Sequence, residues 1–372
     1  MSVRTLSAAE QQPAAEATAA NIAIDLVAPV TGPRKDLGES MVAAARIAVD
    51  SINAAGGIKG ATLGLRIHND KCSSRGAAEV AGKLASMTPA SRIVIGMPCT
   101  SVVSVLLPRM AERGITTLIT PITGNEQRGP PAPLPHSALR LPAQIAQGEV
   151  LGAYLAENAA AVRIAFVRDG TLQARALFQA AYRKVKAAGK RVGLVAVIRS
   201  GEKDFSALLQ KLESAQVTHV ALAAYPSEAG LLLAQASKLL PQVRFIGVDW
   251  LASSDVAAIA GAAVGRLEVF KAPDEGAFPQ ARGLIDALAA KGMQPSRSAL
   301  ASHAAVEAAA AALGSANGLQ GTESPAEVLR RQTVETVMGP LTFTDSGNAS
   351  IPAYIRYQFD VQRGLIPVEI HR

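Results

Sequence analysis

The sequence predicts an α/β protein of two doubly wound lobes, each built on a parallel β-sheet. Short apolar runs alternate with amphipathic helical patterns along nearly the whole chain. Because the apolar runs are continuous, they are typical of strands that helices cover on both faces. The 372 residues exceed what one ordinary core holds and suit two domains.

The first part of the chain opens with the strand pattern Ile22–Ala28, which ends at a turn cluster containing Thr31-Gly32-Pro33. Apolar residues then recur at the spacing of one helix face over Glu39–Ala54, and Gly56-Gly57 ends that helix. The next predicted strands are Leu63–Ile67, Ile93–Met97 and Thr116–Thr120, and the helices between them are Ser74–Met87 and Ser101–Arg113. A Pro-rich connector follows at Gly129–Pro135.

The alternation resumes after this connector. The predicted helices are Ala143–Ala161, Leu172–Ala188, Lys203–Ala215 and Glu228–Leu240. The predicted strands are Arg163–Val167, Val192–Ile198, Val217–Ala223, Arg244–Val248 and Arg266–Phe270. The chain then carries two helical stretches and two short strand patterns, which are Phe278–Ala290, Ala299–Leu313, Gly339–Thr344 and Tyr354–Asp360.

Composition and charge narrow the class of partner. The net charge of +7 makes nucleic acid the first partner to test, but no aromatic residues interleave with a basic stripe. We therefore interpret the charge as dispersed over the surface and expect no nucleic-acid partner. No run approaches the roughly 18 apolar residues of a membrane span. Residues 1–20 lack the apolar middle of a secretion signal, and we expect them to be a disordered leader.

Catalytic signatures are not found in the sequence. It contains no phosphate-binding loop ending in Gly-Lys-Ser/Thr, no Gly-x-Gly-x-x-Gly after the first strand and no Gly-x-Ser-x-Gly. The histidines have no ligand spacing with cysteine or with one another; they are His68, His136, His219, His303 and His371. The sequence thus predicts a binding protein rather than an enzyme, with no cofactor and no metal.

Ligands of doubly wound sheets bind outside the carboxyl ends of the strands. The strand pattern Ile93–Met97 leads into Thr100 and Ser101 at a helix start, where hydroxyls serve either as caps or, with the amides, as donors to a ligand carboxylate. Thr116–Thr120 leads into a second such loop containing Thr123. Later strand patterns end near Tyr225 and Asp249. A carboxylate opposite an anion-binding helix end complements an α-amino acid, although Asp249 is equally a strand-end turn residue.

Several short segments, in this order and spacing, resemble the leucine/isoleucine/valine-binding proteins, which are the solute receptors of branched-chain amino-acid ABC transporters. The similarity runs from about residue 21 to about residue 360. The segments are Val30-Thr31-Gly32-Pro33, Asn53 to Gly60, Asn69-Asp70-Lys71-Cys72, Ile95-Gly96, Gly114-Ile115, Ile119-Thr120-Pro121, Gly201 to Ser206 and Val337 to Phe343.

The resemblance implies a type I periplasmic binding protein, with two doubly wound lobes joined by a three-strand hinge that closes on a ligand. The expected first lobe covers residues 21–141 and 274–335, and the second covers 142–273 and 336–365. The two cysteines taken alone are either a disulfide pair or two buried thiols. The resemblance implies a disulfide between Cys72 and Cys99, which in turn implies an oxidising compartment.

We therefore expect a periplasmic, monomeric receptor that delivers an amino acid or a similar small carboxylate to an ABC permease, with a signal peptide not visible in this chain. The alternative is a cytoplasmic ligand-sensing regulator of the same fold, of the amide-sensor type. The missing signal motivates this alternative. Free thiols at Cys72 and Cys99 would favour it, and a disulfide would favour the receptor.

The resemblance also assigns site residues. Thr100 and Ser101 hold the ligand carboxylate, Ile122 and Thr123 lie in the second anion loop, and Tyr225 lines the cleft. Asp249 stands where the family has a glutamate for the ligand ammonium, and it is one methylene shorter. Four positions depart from the family pattern and make the pocket less aromatic, so leucine is not assumed as the ligand; they are Leu37, Ile122, Gln173 and His303.

Overall fold

The computed structural model describes residues 22–120, 134–141, 147–157, 163–274, 277–315, 323–350, 354–360 and 364–368. The chain divides into two compact units. The first unit contains the described residues of 1–124, 130–141 and 280–349, and the second contains those of 142–279 and 350–372. The second unit is thus largely an insertion between two segments of the first.

The strands are numbered in chain order. They are β1 (Ile22–Ala28), β2 (Leu63–Asn69), β3 (Ile93–Gly96), β4 (Thr116–Ile119), β5 (Ala138–Arg140), β6 (Ile164–Arg168), β7 (Val192–Val197), β8 (His219–Ala223), β9 (Arg244–Gly247), β10 (Leu267–Lys271), β11 (Val334–Thr336), β12 (Gly339–Leu341), β13 (Ile355–Asp360) and β14 (Gly364–Pro367).

The helices follow the same convention. They are α1 (Lys35–Ala54), α2 (Ser74–Ser86), α3 (Thr100–Glu112), α4 (Gln147–Glu157), α5 (Leu172–Ala187), α6 (Ser206–Ser214), α7 (Pro226–Leu239), α8 (Ser254–Ala260), α9 (Arg282–Ala290), α10 (Arg297–Leu313) and α11 (Pro325–Arg331). A short 3-10 turn at Asp249–Leu251 follows β9. No described helix is long and apolar enough to cross a membrane.

The first unit is built on a parallel sheet of order β2-β1-β3-β4-β5. Strand β3 is apolar and fully buried, and β1 is buried from Ile24 to Ala28. The one charged residue of β1, the buried Asp25, is paired with Arg66 and His68 of β2. Helix α10 packs closely against α1. Since most of the buried residues of α10 are alanines, the two helix backbones can approach each other closely. Strands β11 and β12 form a small antiparallel hairpin in the same unit.

The second unit contains a sheet of order β14-β13-β10-β9-β8-β6-β7. The strands from β10 to β7 are parallel, whereas β13 and β14 are added antiparallel at the other edge. On one face α4 lies against α5, and a Cβ atom on Gly152 would stand 2.7 Å from Ala181 Cα. Only glycine therefore allows these two helices their close approach.

The sequence prediction of a two-unit α/β fold with parallel sheets is confirmed. The predicted strand Ile22–Ala28 coincides with β1. The predicted strand over 339–344 is replaced by a hairpin, because residues 334–336 turn back and pair with 339–341. Several short elements have no counterpart among the sequence predictions, and these are β5, α8, α11, β11 and β14.

The boundaries of the units differ from the expected lobes. The described chain changes unit at 279 and 349, whereas the sequence placed these changes at 274 and 335. Residues 336–349 stay with the first unit because β12 pairs with β11, and because Asn348 forms an isolated bridge with Arg140.

Candidate functional site

The carboxyl end of β3 presents the first group of candidate residues. Strand β3 ends at Gly96 with φ 106°, and Met97 follows with φ 60°. A Cβ atom on Gly96 would stand 2.2 Å from the carbonyl oxygen of Val27, so a side chain would push β1 and β3 apart. After this turn the chain enters α3, whose first residues are Thr100 and Ser101.

A disulfide joins the loop after β2 to the start of α3. Cys72 and Cys99 are bonded, with a Cα–Cα distance of 5.5 Å, which confirms the pairing implied by the family resemblance. The hydroxyl of Ser101 donates to the carbonyl oxygen of Cys72 at 3.1 Å. The hydroxyl of Thr100 forms no hydrogen bond with a described residue, and this side chain is half-buried. Of the two predicted carboxylate ligands, Thr100 therefore has the hydroxyl that is free to donate.

Asp70 supports the loop that carries Cys72. Its Oδ1 accepts from the amide of Cys72 at 2.7 Å, and its Oδ2 has no hydrogen-bond partner among the described residues. Burial raises the pKa of Asp70 to about 6, although the Cys72 amide opposes this shift. Asp70 is thus a buried carboxyl that titrates close to neutral pH.

Arg140 is a cation at the same edge of the first sheet that sequence reasoning did not identify. Gly96 of β3, Ile119 of β4 and Arg140 of β5 stand in one register at the carboxyl ends of their strands. The side chain of Arg140 is only 9% exposed, its Nε has no partner among the described residues, and burial lowers its pKa. The one signal in the sequence is an arginine inside the apolar run of residues 138–141.

Of four further expected positions, Leu37 and His303 belong to the described part of the first unit. Ile122 and Thr123 lie outside the described residues. His303 is 6% exposed on α10, and its Nδ1 lies 3.5 Å from Glu307 Oε2, a pairing distance without hydrogen-bond alignment. Leu37 is half-buried on α1 and lines a cavity of about 400 Å³ with residues 292–296. These contacts neither establish nor remove a ligand role for His303 and Leu37, which stays a prediction.

The second unit brings Gln173, Tyr225 and Asp249 to the carboxyl ends of three neighbouring strands. Arg168 of β6 pairs with Ala223 of β8, and Leu222 of β8 pairs with Gly247 of β9. Gln173 is exposed in the first turn of α5, after β6. Tyr225 precedes α7, after β8, and Asp249 opens the 3-10 turn after β9. Neighbouring strands lie about 4.8 Å apart, so the three strand ends form one short row.

Trp250 ties two of these strand ends together. Its indole Nε1 donates to the carbonyl oxygen of Ala224 at 2.9 Å, directly before Tyr225. Its amide donates to Asp249 Oδ1 at 3.0 Å, and its ring packs against the core of the second unit. Trp250 thus packs into the core of the second unit, and its two hydrogen bonds position Tyr225 and Asp249 beside it.

Tyr225 also lines a cavity of about 440 Å³ within the second unit, together with Ser200, Ser227, Glu228, Asp255 and Ile259. Glu228 is buried, and its carboxylate accepts from the Gly201 amide at 2.6 Å and from the Ser227 hydroxyl. Burial alone would raise the pKa of Glu228, but these two donors lower it below its usual value. The cavity wall beside Tyr225 is thus negatively charged, which sequence reasoning did not anticipate.

The strand ends of the two units carry candidate residues of opposite charge. The first unit presents a hydroxyl and a cation at Thr100 and Arg140, whereas the second presents a phenol and a carboxylate at Tyr225 and Asp249. The first set of groups suits the negative end of a small molecule, and the second suits a positive end. Among the described residues, no three histidine, cysteine, aspartate or glutamate side chains are grouped in a way that would hold a metal ion.

Comparisons with known proteins identify the family of the chain. A family model described as periplasmic binding protein matches residues 21–361. The leucine-, isoleucine-, valine-, threonine-, and alanine-binding protein of Pseudomonas aeruginosa is 32% identical over 329 residues, covering 88% of this chain and 87% of that protein. The Leu/Ile/Val-binding protein of Escherichia coli strain K12 is 30% identical over 338 residues, covering 89% of both.

Two solved structures share the fold. An ABC transporter substrate-binding protein from Sphaerobacter thermophilus superposes with a TM-score of 0.60 at 17% identity, over 94% of this chain and 97% of that one. A solute-binding protein of an ABC transporter from R. palustris, in complex with benzoate, gives a TM-score of 0.53 at 16% identity, over 93% and 95%. These likenesses confirm the predicted type I periplasmic binding protein fold.

Proposed function

This chain belongs to the periplasmic binding protein family, and on that premise we propose that it is an extracytoplasmic solute-binding receptor of an ABC transporter. Its ligand is an amino acid or a similar small carboxylate. One observation carries this proposal: Thr100 and Asp249, with opposite chemistry, stand at carboxyl ends of parallel strands in the two units. That is where doubly wound sheets bind ligands.

The carboxylate of the ligand is assigned to the first unit. The first-turn amides of α3 and the Thr100 hydroxyl act as donors at the positive end of the helix dipole. Arg140 adds a buried cation two strands away, roughly 10 Å by strand spacing, which is a distance suited to long-range attraction rather than contact. Ser101 has a supporting role, since its proton is held by Cys72.

The ammonium of the ligand is assigned to the second unit. Asp249 supplies the counter-charge, Tyr225 supplies apolar surface with a hydroxyl, and the buried Glu228 adds negative potential beside Tyr225. If one ligand contacts groups of both units, its binding stabilises a closed arrangement of the units, because only that arrangement satisfies both ends of the ligand. Hinge closure is part of this proposal.

The ligand class is supported from two directions. The amino acids in the name of the Pseudomonas aeruginosa relative share only the α-ammonium and the carboxylate, and that relative is 32% identical to this chain. The same fold holds benzoate in the R. palustris protein, so the fold alone does not require an ammonium. A carboxylate is common to both, and it is the more general requirement.

A periplasmic location and docking to an ABC permease complete the proposal. The bond between Cys72 and Cys99 supports an oxidising compartment, because cytoplasmic thiols are kept reduced. The alternative of a cytoplasmic regulator requires those two residues to be thiols in the cell. Alkylation of the protein as isolated, with and without reductant, distinguishes the two: labelling without reductant contradicts the periplasmic assignment.

Isothermal titration with neutral amino acids, benzoate and the corresponding amines tests the ligand class. We expect T100A to weaken both amino acids and benzoate, and D249N to weaken amino acids while sparing benzoate. Losing one hydrogen bond to a charged ligand group should lower affinity by roughly 10- to 100-fold. S104A, an exposed hydroxyl further along α3, is the control. Binding that requires only the amine, or no binding by any carboxylate, would contradict the proposal.

A further inference from the structure

The net charge of the chain is concentrated in one stretch. The sequence contains 37 Lys and Arg and 30 Asp and Glu, a net charge of +7. Between Gly170 and Gly201 there is no acidic residue, and there are seven basic ones: Arg175, Arg183, Lys184, Lys186, Lys190, Arg191 and Arg199. This stretch therefore carries the whole excess, since the remaining 30 basic residues balance the 30 acidic ones. The sequence-based interpretation of a dispersed charge is wrong.

The same stretch forms one edge of the second unit's sheet. It contains α5 and β7, and β7 is the outermost strand beyond β6. Phe166 of β6 stands in register with Val195 of β7, and the Phe166 ring contacts the ring of Tyr182 on α5 at a centroid distance of 5.8 Å. Partners in a parallel register point to the same face. Tyr182 and Val195 therefore lie on the same face of the sheet edge.

This face leaves apolar side chains uncovered. Val195 is 58% exposed, Val197 is 54% exposed, and Tyr182 is 37% exposed. The two valines alternate along β7, whose sequence VGLVAV contains neither a charged residue nor a proline. Proteins usually protect an edge strand with such residues. An unprotected apolar strip on an edge strand indicates a surface that another body covers.

Basic side chains border the strip on α5. Arg175, Tyr182 and Lys186 are spaced so that they share one side of the helix. That side is turned away from α4, because Gly152 of α4 lies against Ala181 and Lys184 on the other side. Arg175 and Lys186 are both exposed, so they stand along the helix on either side of Tyr182.

Cations also stand at both ends of β7. Lys190 and Arg191 come directly before the strand, and Arg199 follows it after one intervening residue. None of these side chains, nor Arg175 or Lys186, forms an ion pair with another described residue. The charges are therefore available to a partner from outside the chain. We call this surface, made of Arg175, Tyr182, Lys186, Lys190, Val195 and Val197, the basic edge.

We propose that the basic edge docks this protein on an anionic phospholipid membrane. The valines and the tyrosine ring enter the interface, and the lysine and arginine stems extend their charges to lipid headgroups. Fluid headgroups need no fixed geometry, which suits cations that no hydrogen bond holds in place. A second copy of the chain is a poor occupant, because two surfaces of the same positive charge repel each other.

Co-sedimentation of the full chain with vesicles tests this docking. We expect binding to a two-to-one mixture of phosphatidylcholine and phosphatidylglycerol, and none to phosphatidylcholine alone. Binding should disappear near 0.5 M salt, at roughly which concentration surface charges are screened within a few ångströms. No amino-acid ligand is present in this assay, so its outcome is independent of the proposed receptor function.

Matched variants separate the basic edge from net charge. K186E/K190E should lower the vesicle partition coefficient about 20-fold or more, from a contribution of about fivefold for each basic side chain. K83E/K291E has the same net charge at exposed positions of the first unit, and it should retain most of the binding. V195T/V197T keeps β-branched side chains and should also weaken binding. Circular dichroism melting establishes that each variant is folded.

The proposal is overturned if the wild-type chain fails to bind the anionic vesicles. Equal losses in K83E/K291E and K186E/K190E would also overturn it, because net charge alone would then explain binding. Retention of an acidic polypeptide such as polyglutamate on the wild-type chain, with no vesicle binding, would assign the surface to an acidic protein instead.

Discussion

The indole Nε1 of Trp250 donates a hydrogen bond of 2.9 Å to the carbonyl oxygen of Ala224. This bond joins the end of β9 to the end of β8, and it places the only tryptophan of the chain between Asp249 and Tyr225. Two candidate ligand residues that lie 24 positions apart in sequence are thus held by one side chain. The arrangement gives Tyr225 and Asp249 a common support within the second unit.

Replacing Trp250 by phenylalanine removes the indole N–H, so the carbonyl oxygen of Ala224 loses this hydrogen bond. We expect W250F to lower the free energy of unfolding by about 1–2 kcal/mol, and to weaken amino-acid binding because Tyr225 and Asp249 lose their common support. Urea unfolding and calorimetric titration measure the two effects. Unchanged stability together with unchanged affinity would show that the bond does not organise the strand ends.

Asp70 should make stability depend on pH in an unusual direction. Its folded pKa is raised to about 6, from 3.8, so between these values the folded chain binds a proton that the unfolded chain releases. Its stabilising contribution is fully present below pH 3.8 and is lost as pH rises through 6. The loss is about 3 kcal/mol at 1.36 kcal/mol per pH unit.

The D70N variant isolates this effect, because asparagine keeps the Oδ1 acceptor for the Cys72 amide but does not titrate. We expect D70N to be more stable than the wild-type chain at pH 7 and about equally stable near pH 4. Urea unfolding across this range gives the difference between the two proteins. A difference that stays constant with pH would show that Asp70 does not titrate in the folded chain.

The disulfide should stabilise the first unit substantially. It closes a loop of 27 positions, for which the chain-entropy relation gives about 3–4 kcal/mol. We expect C72A/C99A to lose about this much unfolding free energy, while becoming insensitive to reductant. Denaturant unfolding with and without dithiothreitol provides the measurement. An equal response of wild type and variant to reductant would contradict a disulfide in the isolated protein.

The contact of α4 with α5 requires glycine at position 152. A Cβ atom there meets Ala181 Cα at 2.7 Å and Ala181 O at 2.7 Å, and neither backbone atom can move without shifting α5. We expect G152A to lower stability by about 1–3 kcal/mol through overpacking. Gly82 lies on the exposed face of α2 with open space around its Cβ, so G82A should instead raise stability by about 0.5–1 kcal/mol. Thermal melting of both variants checks the opposite signs.

Hydrophobic patterns in the sequence were sufficient to predict most of the helices and strands. The run Ile22–Ala28 and the periodicity over Leu172–Ala188 closely match β1 and α5, because an element's hydrophobic period is written into consecutive residues. Strand β5 was not predicted, because it is too short to show such a period. Three residues are too few to show a period, and β5 is a strand only because β4 supplies its hydrogen bonds.

Part of the candidate site could likewise be predicted from the sequence, and part of it could not. The sequence by itself determined where polar side chains follow buried strands, and so it identified Thr100, Tyr225 and Asp249. Tertiary structure alone decided that the Ser101 hydroxyl is held by Cys72 and that Arg140 is buried at the same sheet edge as Thr100. It also decided that Arg175 and Lys186 of α5, with Lys190, Arg191 and Arg199 at the ends of β7, border one apolar strand edge. Periodicity depends on neighbours along the chain, whereas burial and hydrogen bonding depend on residues that only folding brings together.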